Sequence, residues 1–203
     1  MRIIGLVGGI ASGKSLVAQQ LVELGAGWLD ADRAGHEVLE LEEVKQAIRD
    51  RFGEEVVGAD GRLSRPAIGR RVFGGGSAGT DRATADRQFL EQLTHPRIGE
   101  LLGRQAAALE AAGKQVLVLD APLLMEAGWN KFCDKTVFVE APREVRLERA
   151  RGRGWSDAEF NAREAAQKSL DVKRDRADVI LDNSGSPEAT REQVNRLWQS
   201  LVG

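Results

Sequence analysis

One octet near the start constrains this chain more than any other feature. Gly8-Gly9-Ile10-Ala11-Ser12-Gly13-Lys14-Ser15 has the form GxxxxGK[ST]. It follows a short apolar run from Arg2 to Val7 and precedes Leu16-Val17-Ala18-Gln19-Gln20-Leu21, which has helical spacing. Strand, glycine-rich loop and helix are the context in which this pattern reads as a phosphate site. Gly8 and Gly13 let the backbone curl so that successive N–H groups point at phosphate oxygens. The new helix adds its positive end to the same spot. Lys14 brings a mobile charge for the β and γ phosphates, and the Ser15 hydroxyl is a ligand for Mg²⁺. The competing reading is a glycine-rich turn before an ordinary helix, which does not explain why all three elements stand in register. The expectation is a nucleoside triphosphate site.

Composition narrows the setting. A chain of 203 residues has room for one domain with elaborations. Its 29 basic and 31 acidic residues leave no bulk field that favours nucleic acid or an anionic membrane. The single cysteine, Cys133, excludes an intrachain disulfide and suits a reducing compartment. No stretch approaches the roughly 18 apolar residues of a membrane span, and a cleaved leader would take the phosphate loop with it. A soluble, cytoplasmic protein is expected, either a monomer or a weak homo-oligomer.

The rest of the chain alternates strand and helix patterns. Gly27 to Asp30 reads as a second strand, and Val38, Leu41, Val44 and Ile48 give one helical face over Arg33 to Arg51. Leu63 to Phe73 resumes a helical pattern, and Gly74 to Gly79 reads as a flexible surface connection. Thr80 to Ala112 is helical, with a helix boundary expected at His95-Pro96. Gln115 to Leu119, Lys135 to Glu140 and Asp178 to Leu181 are unbroken apolar strands with helices between them. Such runs imply a parallel sheet covered on both faces. Ser156 to Glu159 has capping-box spacing, and Pro142 and Ser186-Pro187 open helices. The expected architecture is α/β: one domain over 1–203, with five parallel strands and a helical insertion over roughly 35–112.

Ligands of an open parallel sheet sit beyond the carboxyl ends of its strands. The residues there are the phosphate loop, Asp30 and Asp32, Asp120 with Pro122, and Asn183. A carboxylate of the Asp30-Ala31-Asp32 pair can take a proton from an attacking hydroxyl, or it can cap the following helix. Asp120 ends its strand as a metal-linked acid would, although aspartate is common at strand ends. Arg143, Arg146, Arg149, Arg151 and Arg153 cluster on a hairpin of two helices with glycines at the corner. They suit a lid that closes over a triphosphate, and for several of them a solvated face suffices. His36 and His95 read as packing or capping residues, and Trp28 and Trp155 as packing aromatics.

Taken together these residues resemble the dephospho-coenzyme A kinase family along nearly the whole chain. The opening octet, Asp30-Ala31-Asp32, His95-Pro96 with Ile98, Asp120-Ala121-Pro122-Leu123-Leu124-Met125-Glu126, the stretch from Arg149 to Gln167, and Ala177 to Gly185 are each similar to a family segment, in the family's order. Ala11 stands where the family usually has glycine, and Leu16 where it usually has threonine. The resemblance implies the P-loop kinase fold, a lid over roughly 143–170, and ATP-dependent phosphorylation of the ribose 3′-hydroxyl of dephospho-coenzyme A. It implies Mg²⁺, held at Ser15, and catalytic roles for Asp32 as general base and for Lys14 and Arg149. It further implies ATP contacts from Gly9, Ile10, Ala11, Ser12, Gly13, Lys14, Ser15, Leu16, Arg153 and Asn183. Acceptor contacts would come from Asp30, His95, Pro122, Leu123, Arg163 and Gln167. Other readings are a nucleoside monophosphate kinase on the same fold, a GTP switch, or a silent ATP-binding module. Asn130-Lys131-Phe132-Cys133-Asp134 has one residue too many for the guanine reader and precedes a strand.

Overall fold

The computed structural model describes residues 1–58, 60–73, 81–165 and 167–203. The glycine run at Gly74 to Gly79 lies outside them. In chain order the elements are β1 (Arg2–Val7), α1 (Lys14–Glu23), β2 (Gly27–Asp30), α2 (Ala31–Leu39), α3 (Glu42–Phe52), α4 (Arg65–Phe73) and α5 (Asp81–Ala111). There follow β3 (Val116–Asp120), β4 (Lys135–Glu140), α6 (Arg143–Gly152), α7 (Asp157–Ala165), α8 (Leu170–Asp175), β5 (Val179–Asp182) and α9 (Pro187–Val202). The chain divides into two compact units, one of Met1–Asp32 with Leu102–Gly203 and the other of Arg33–Leu101.

In the first unit the strands form a parallel sheet of order β2-β3-β1-β4-β5. β1 is central, and the connections reverse direction around it, so the loop leaving β1 opens at the topological switch point of the sheet. β3 is buried along its whole length, which explains its unbroken Val-Leu-Val-Leu run. Ile4, Leu6, Val116, Val118, Val137 and Val139 pack with Val17, Ala18 and Leu21 of α1 and Val194, Leu197 and Leu201 of α9. The register sets Asp30 opposite Asp120, so β2 and β3 end in aspartates side by side. Ser186 caps α9 by accepting from the Ala189 N–H at 3.3 Å, with Pro187 in the first turn. Ser156 and Glu159 close the reciprocal capping box of α7, at 3.2 Å and 2.9 Å.

The second unit corrects two expectations. Arg33 to Arg51 is not one helix: α2 ends at Leu39 and α3 begins at Glu42. Leu41 takes extended backbone and is 44 % exposed, whereas Val38, Val44 and Ile48 are buried, so its place in the apolar spacing was incidental. Lys45 pairs with Glu40 and Glu42 at 3.1 Å across the break. The boundary at His95-Pro96 is also absent, since α5 runs through it. Pro96 lacks the N–H that would reach the fourth residue back. The Arg97 guanidinium and the Thr94 hydroxyl supply donors beside it, to the carbonyls of Leu93 and Leu90 at 2.8 Å each. Asp86, buried at 1 % exposure, is held by Arg71 and Arg51 at 2.8 and 3.0 Å. The two guanidiniums keep its carboxyl below the usual range despite the opposing effect of burial.

Candidate active site

The loop between β1 and α1 is shaped by its glycines and by what surrounds it. Gly13 has φ 96°, and a Cβ there would fall on Asn183 Nδ2. A Cβ on Gly8 would lie 2.6 Å from the Val139 carbonyl oxygen. Ala11 has φ 58°, the left-handed region, and is 6 % exposed. That conformation accounts for the glycine of the family pattern and costs alanine roughly 1–2 kcal/mol. Ala11 packs with Ala150 and Phe160. Leu16 is half-buried, and its N–H donates to the Gly13 carbonyl at 3.0 Å as α1 begins.

Lys14 is 9 % exposed and donates to the carbonyls of Gly9 and Gly8 at 3.2 and 3.3 Å. Burial lowers its pKa to about 8; Asp120 and Asp32 oppose that shift, while Lys173 and Arg153 add to it. A buried ammonium with only carbonyl partners is a receptor for anionic oxygen.

Ser15 Oγ donates to Asp120 Oδ2 at 3.0 Å. Burial raises the Asp120 carboxyl above the ordinary range; Lys14 and the Ser15 bond pull the other way, and Asp32 and Asp30 push it further up. Asp30 is half-buried at the end of β2, and Asp32 is exposed in the first turn of α2. Asp120 and Asp32 therefore bear on the buried Lys14, and Asp120 alone holds the Ser15 hydroxyl. Among the described residues no group of three or more His, Cys, Asp or Glu forms a self-contained metal cage. Mg²⁺ does not need one, because it commonly takes one or two protein oxygens and fills the rest with phosphate and water. The under-neutralised Asp120 carboxylate beside the Ser15 hydroxyl fits that requirement.

The five arginines, four on α6 and Arg153 just after it, separate once their partners are known. Arg146 is 3 % exposed and donates to the carbonyls of Ala141 and Ile10 and to Glu164, at 3.2, 3.4 and 2.7 Å. Arg149 donates to the Ser12 carbonyl at 3.2 Å and the Asn183 carbonyl at 2.8 Å. Arg151 pairs with Asp157, and Arg143 with Glu164. Arg153 is exposed, and its charge reaches Lys14. Arg163 stacks over the Trp155 ring at 4.3 Å. Gln167 accepts from the Ile10 N–H at 3.1 Å and donates to the Pro122 carbonyl at 3.5 Å, so it joins the phosphate loop to the segment after β3. Leu123 is half-buried in that segment.

Asn183 is buried at 2 % exposure. Its Nδ2 donates to the Ser12 carbonyl at 2.7 Å, and its Oδ1 accepts from the Thr190 hydroxyl at 2.7 Å. His95 stands in the second unit, half-buried in α5, with its pKa lowered by burial against an opposing effect of Glu91. The structure thus gathers the loop, Asp30, Asp32, Arg149, Arg153, Pro122, Gln167 and Asn183 in the first unit. Arg163 is held on Trp155, which packs against the cluster of Ala11, Ala150 and Phe160. Asp120, Arg146, Lys173 and Thr190 join the gathered set. Asp120 had a signal in its strand-end position and Arg146 in the arginine cluster, whereas nothing local distinguished Lys173 and Thr190.

The family model for dephospho-CoA kinase matches residues 2–188. The chain is similar to the dephospho-CoA kinase of Symbiobacterium thermophilum, 43% identical over all of this chain and 82% of that one. The dephospho-CoA kinase of Anaeromyxobacter dehalogenans is 41% identical over all of this chain and 93% of the relative. Among solved structures, TT1252 from Thermus thermophilus superposes with a TM-score of 0.83 at 36% identity, covering 100% of this chain and 98% of that chain.

Proposed function

The chain belongs to the dephospho-CoA kinase family, the enzymes of the last step of coenzyme A biosynthesis, and on that premise we propose how its residues carry out the transfer. The acceptor is the ribose 3′-hydroxyl of dephospho-coenzyme A, and the donor is ATP. Asp32 takes the hydroxyl proton as the oxygen attacks the γ phosphorus; the bond to the β,γ-bridging oxygen breaks, and ADP leaves. Lys14 offsets charge spreading onto the phosphoryl oxygens, in a pocket where water screens it little. Mg²⁺ would be held by Ser15 and Asp120 and would supply neutralisation of phosphate charge. Arg149 and Arg153 serve the closed lid, and Asp30, Pro122, Leu123, Arg163 and Gln167 are assigned to the acceptor. The assignment of His95 to the acceptor rests on the sequence resemblance alone.

The single observation that carries this reading is the convergence of Asp32 and Asp120 on the buried Lys14 at the mouth of the phosphate loop. We further assign the enzyme to the cytoplasm, as a monomer or weak homo-oligomer. Support comes from a lone half-buried cysteine, its thiol pushed up to about 12 by burial, and from the lack, among the described residues, of a helix long and apolar enough to cross a membrane. The test is ADP release from Mg-ATP with dephospho-coenzyme A, nucleoside monophosphates and shikimate as alternative acceptors. Stimulation by dephospho-coenzyme A with a 3′-phosphorylated product is expected. Stimulation by another acceptor alone would overturn the assignment.

A further inference from the structure

Asn183 spends every polar group it has inside the protein. Its N–H donates to the Glu140 carbonyl at 2.8 Å, and its carbonyl accepts from Arg149 at 2.8 Å. The side-chain amide is spent as well, on Ser12 and Thr190, at 2.7 Å each. Chemistry fixes which end of the amide faces which partner. A carbonyl oxygen can only accept, so the group facing Ser12 must be the NH₂. The opposite end is then an oxygen that needs a donor. Thr190, 0 % exposed in the first turns of α9, supplies it. Its hydroxyl has one proton and a second possible acceptor, the Ser186 carbonyl at 3.3 Å; the 2.7 Å bond to Asn183 is the better made.

The consequence lies at the Ser12–Gly13 peptide. In a planar trans peptide the C=O and N–H point in opposite directions. The Ser12 carbonyl is held by two donors, the Asn183 amide and the Arg149 guanidinium. Pinning that oxygen turns the Gly13 N–H the other way, toward the hollow of the loop. A different side chain at 183 would leave the carbonyl to Arg149 alone, which belongs to the lid segment.

We propose that Thr190 is a positioning residue for nucleotide binding: its buried hydroxyl locks the Asn183 amide in the one orientation that anchors the Ser12 carbonyl and presents the Gly13 N–H to phosphate. Thr190 touches no substrate and acts through Asn183. The inference rests on the phosphate-loop reading above.

The test is titration calorimetry of Mg-ADP into the full-length protein. Thr190→Val keeps the shape and removes the donor; it weakens ADP by about fivefold to tenfold, as expected for a buried acceptor left unmade. Thr190→Ser restores the hydroxyl and binds within about twofold of wild type. The KM for dephospho-coenzyme A stays within about twofold in both, which a general loosening of the fold would not allow. Adding Thr190→Val to Asn183→Ala produces no further loss, because the link it breaks is already gone. Should the valine variant not fold, Asn183→Asp reads the next link in the chain: it keeps the acceptor for Thr190 but sets a carboxylate oxygen against the Ser12 carbonyl, weakening ADP at least about tenfold. Wild-type affinity in Thr190→Val or in Asn183→Asp overturns the proposal, as does a full loss from Thr190→Val on the Asn183→Ala background. Wild-type protein that fails to bind Mg-ADP at all would instead sink the phosphate-loop reading itself.

Discussion

Ser15 Oγ and Asp120 Oδ2 stand 3.0 Å apart, joining the last residue of the phosphate loop to the last residue of β3. The bond joins the start of α1 to the end of the strand beside β1 and sets a hydroxyl next to a carboxylate. Asp120→Asn keeps an acceptor for Ser15 but removes the charge. The Mg²⁺ concentration for half-maximal activity should rise by about 10- to 100-fold. Kinetics at varied Mg²⁺ and saturating ATP measure this, and an unchanged Mg²⁺ dependence would remove Asp120 from the metal site.

Asp32 sits in the first turn of α2, exposed, where its charge bears on both Lys14 and Asp120. Asp32→Asn is nearly isosteric and removes the base. Turnover should fall by roughly 10²-fold or more while ADP affinity stays close to wild type. Single-turnover phosphorylation beside calorimetry separates the two effects; near-normal turnover would assign the base elsewhere.

Much of this was legible before any coordinates. The inner strands announced themselves because β3 is buried along its whole length and β1 and β4 along most of theirs, and so carry apolar runs, and the sheet order then sets Asp30 beside Asp120. What stayed hidden depends on partners distant in the chain. Arg146 and Arg151 look alike in sequence, yet one is 3 % exposed beneath the phosphate loop and the other pairs with Asp157 at the surface. Thr190 looks like any fourth residue of a capped helix until Asn183 is seen beside it. Pro96 misled because proline usually marks a boundary, whereas here α5 runs through it despite the missing N–H.

Glu126 and Lys173 form a pair that fastens α8 to the segment after β3. Lys173 Nζ lies 2.9 Å from Glu126 Oε1, and the Lys168 N–H donates to the same oxygen at 2.9 Å. Lys173 is 1 % exposed, so removing its partner strands an ammonium. Glu126→Gln should cost about 3 kcal/mol in urea unfolding, and Glu126→Gln with Lys173→Met should recover most of it. Burial opposes ionisation of Glu126, but the bonds from Lys173 and Lys168 outweigh it and hold the carboxyl below its usual range. The folded state therefore binds its proton less readily than the unfolded chain. The contribution is complete above the ordinary glutamate pKa and is lost as pH falls through the depressed value. A double variant no more stable than Glu126→Gln would refute the pairing as the source.

Lys14 gives a pH dependence of the same sign at higher pH, from a buried cation rather than a paired anion. Its folded-state pKa of about 8, lowered chiefly by burial, lies below the 10.5 of the exposed side chain. Between those values the unfolded chain binds the proton and the folded one does not, so this group's contribution to stability rises with pH across that window. Below pH 8 the buried ammonium costs about 3 kcal/mol. Lys14→Met should therefore be more stable than wild type at pH 7, by a margin that shrinks toward pH 10.5. Nucleotide reverses the balance, because phosphate oxygens favour the ammonium and raise its pKa again. Binding above pH 8 must then take up a proton, so Mg-ADP affinity should be flat below about pH 8 and weaken by up to about tenfold per unit above it. Calorimetry from pH 7 to roughly pH 9.5, in buffers of differing ionisation enthalpy, reads both the affinity and the proton uptake. Flat affinity and no uptake in wild type would mean that Lys14 does not meet the phosphates. In Lys14→Met the dependence should vanish along with most of the affinity, which ties the titration to this one side chain.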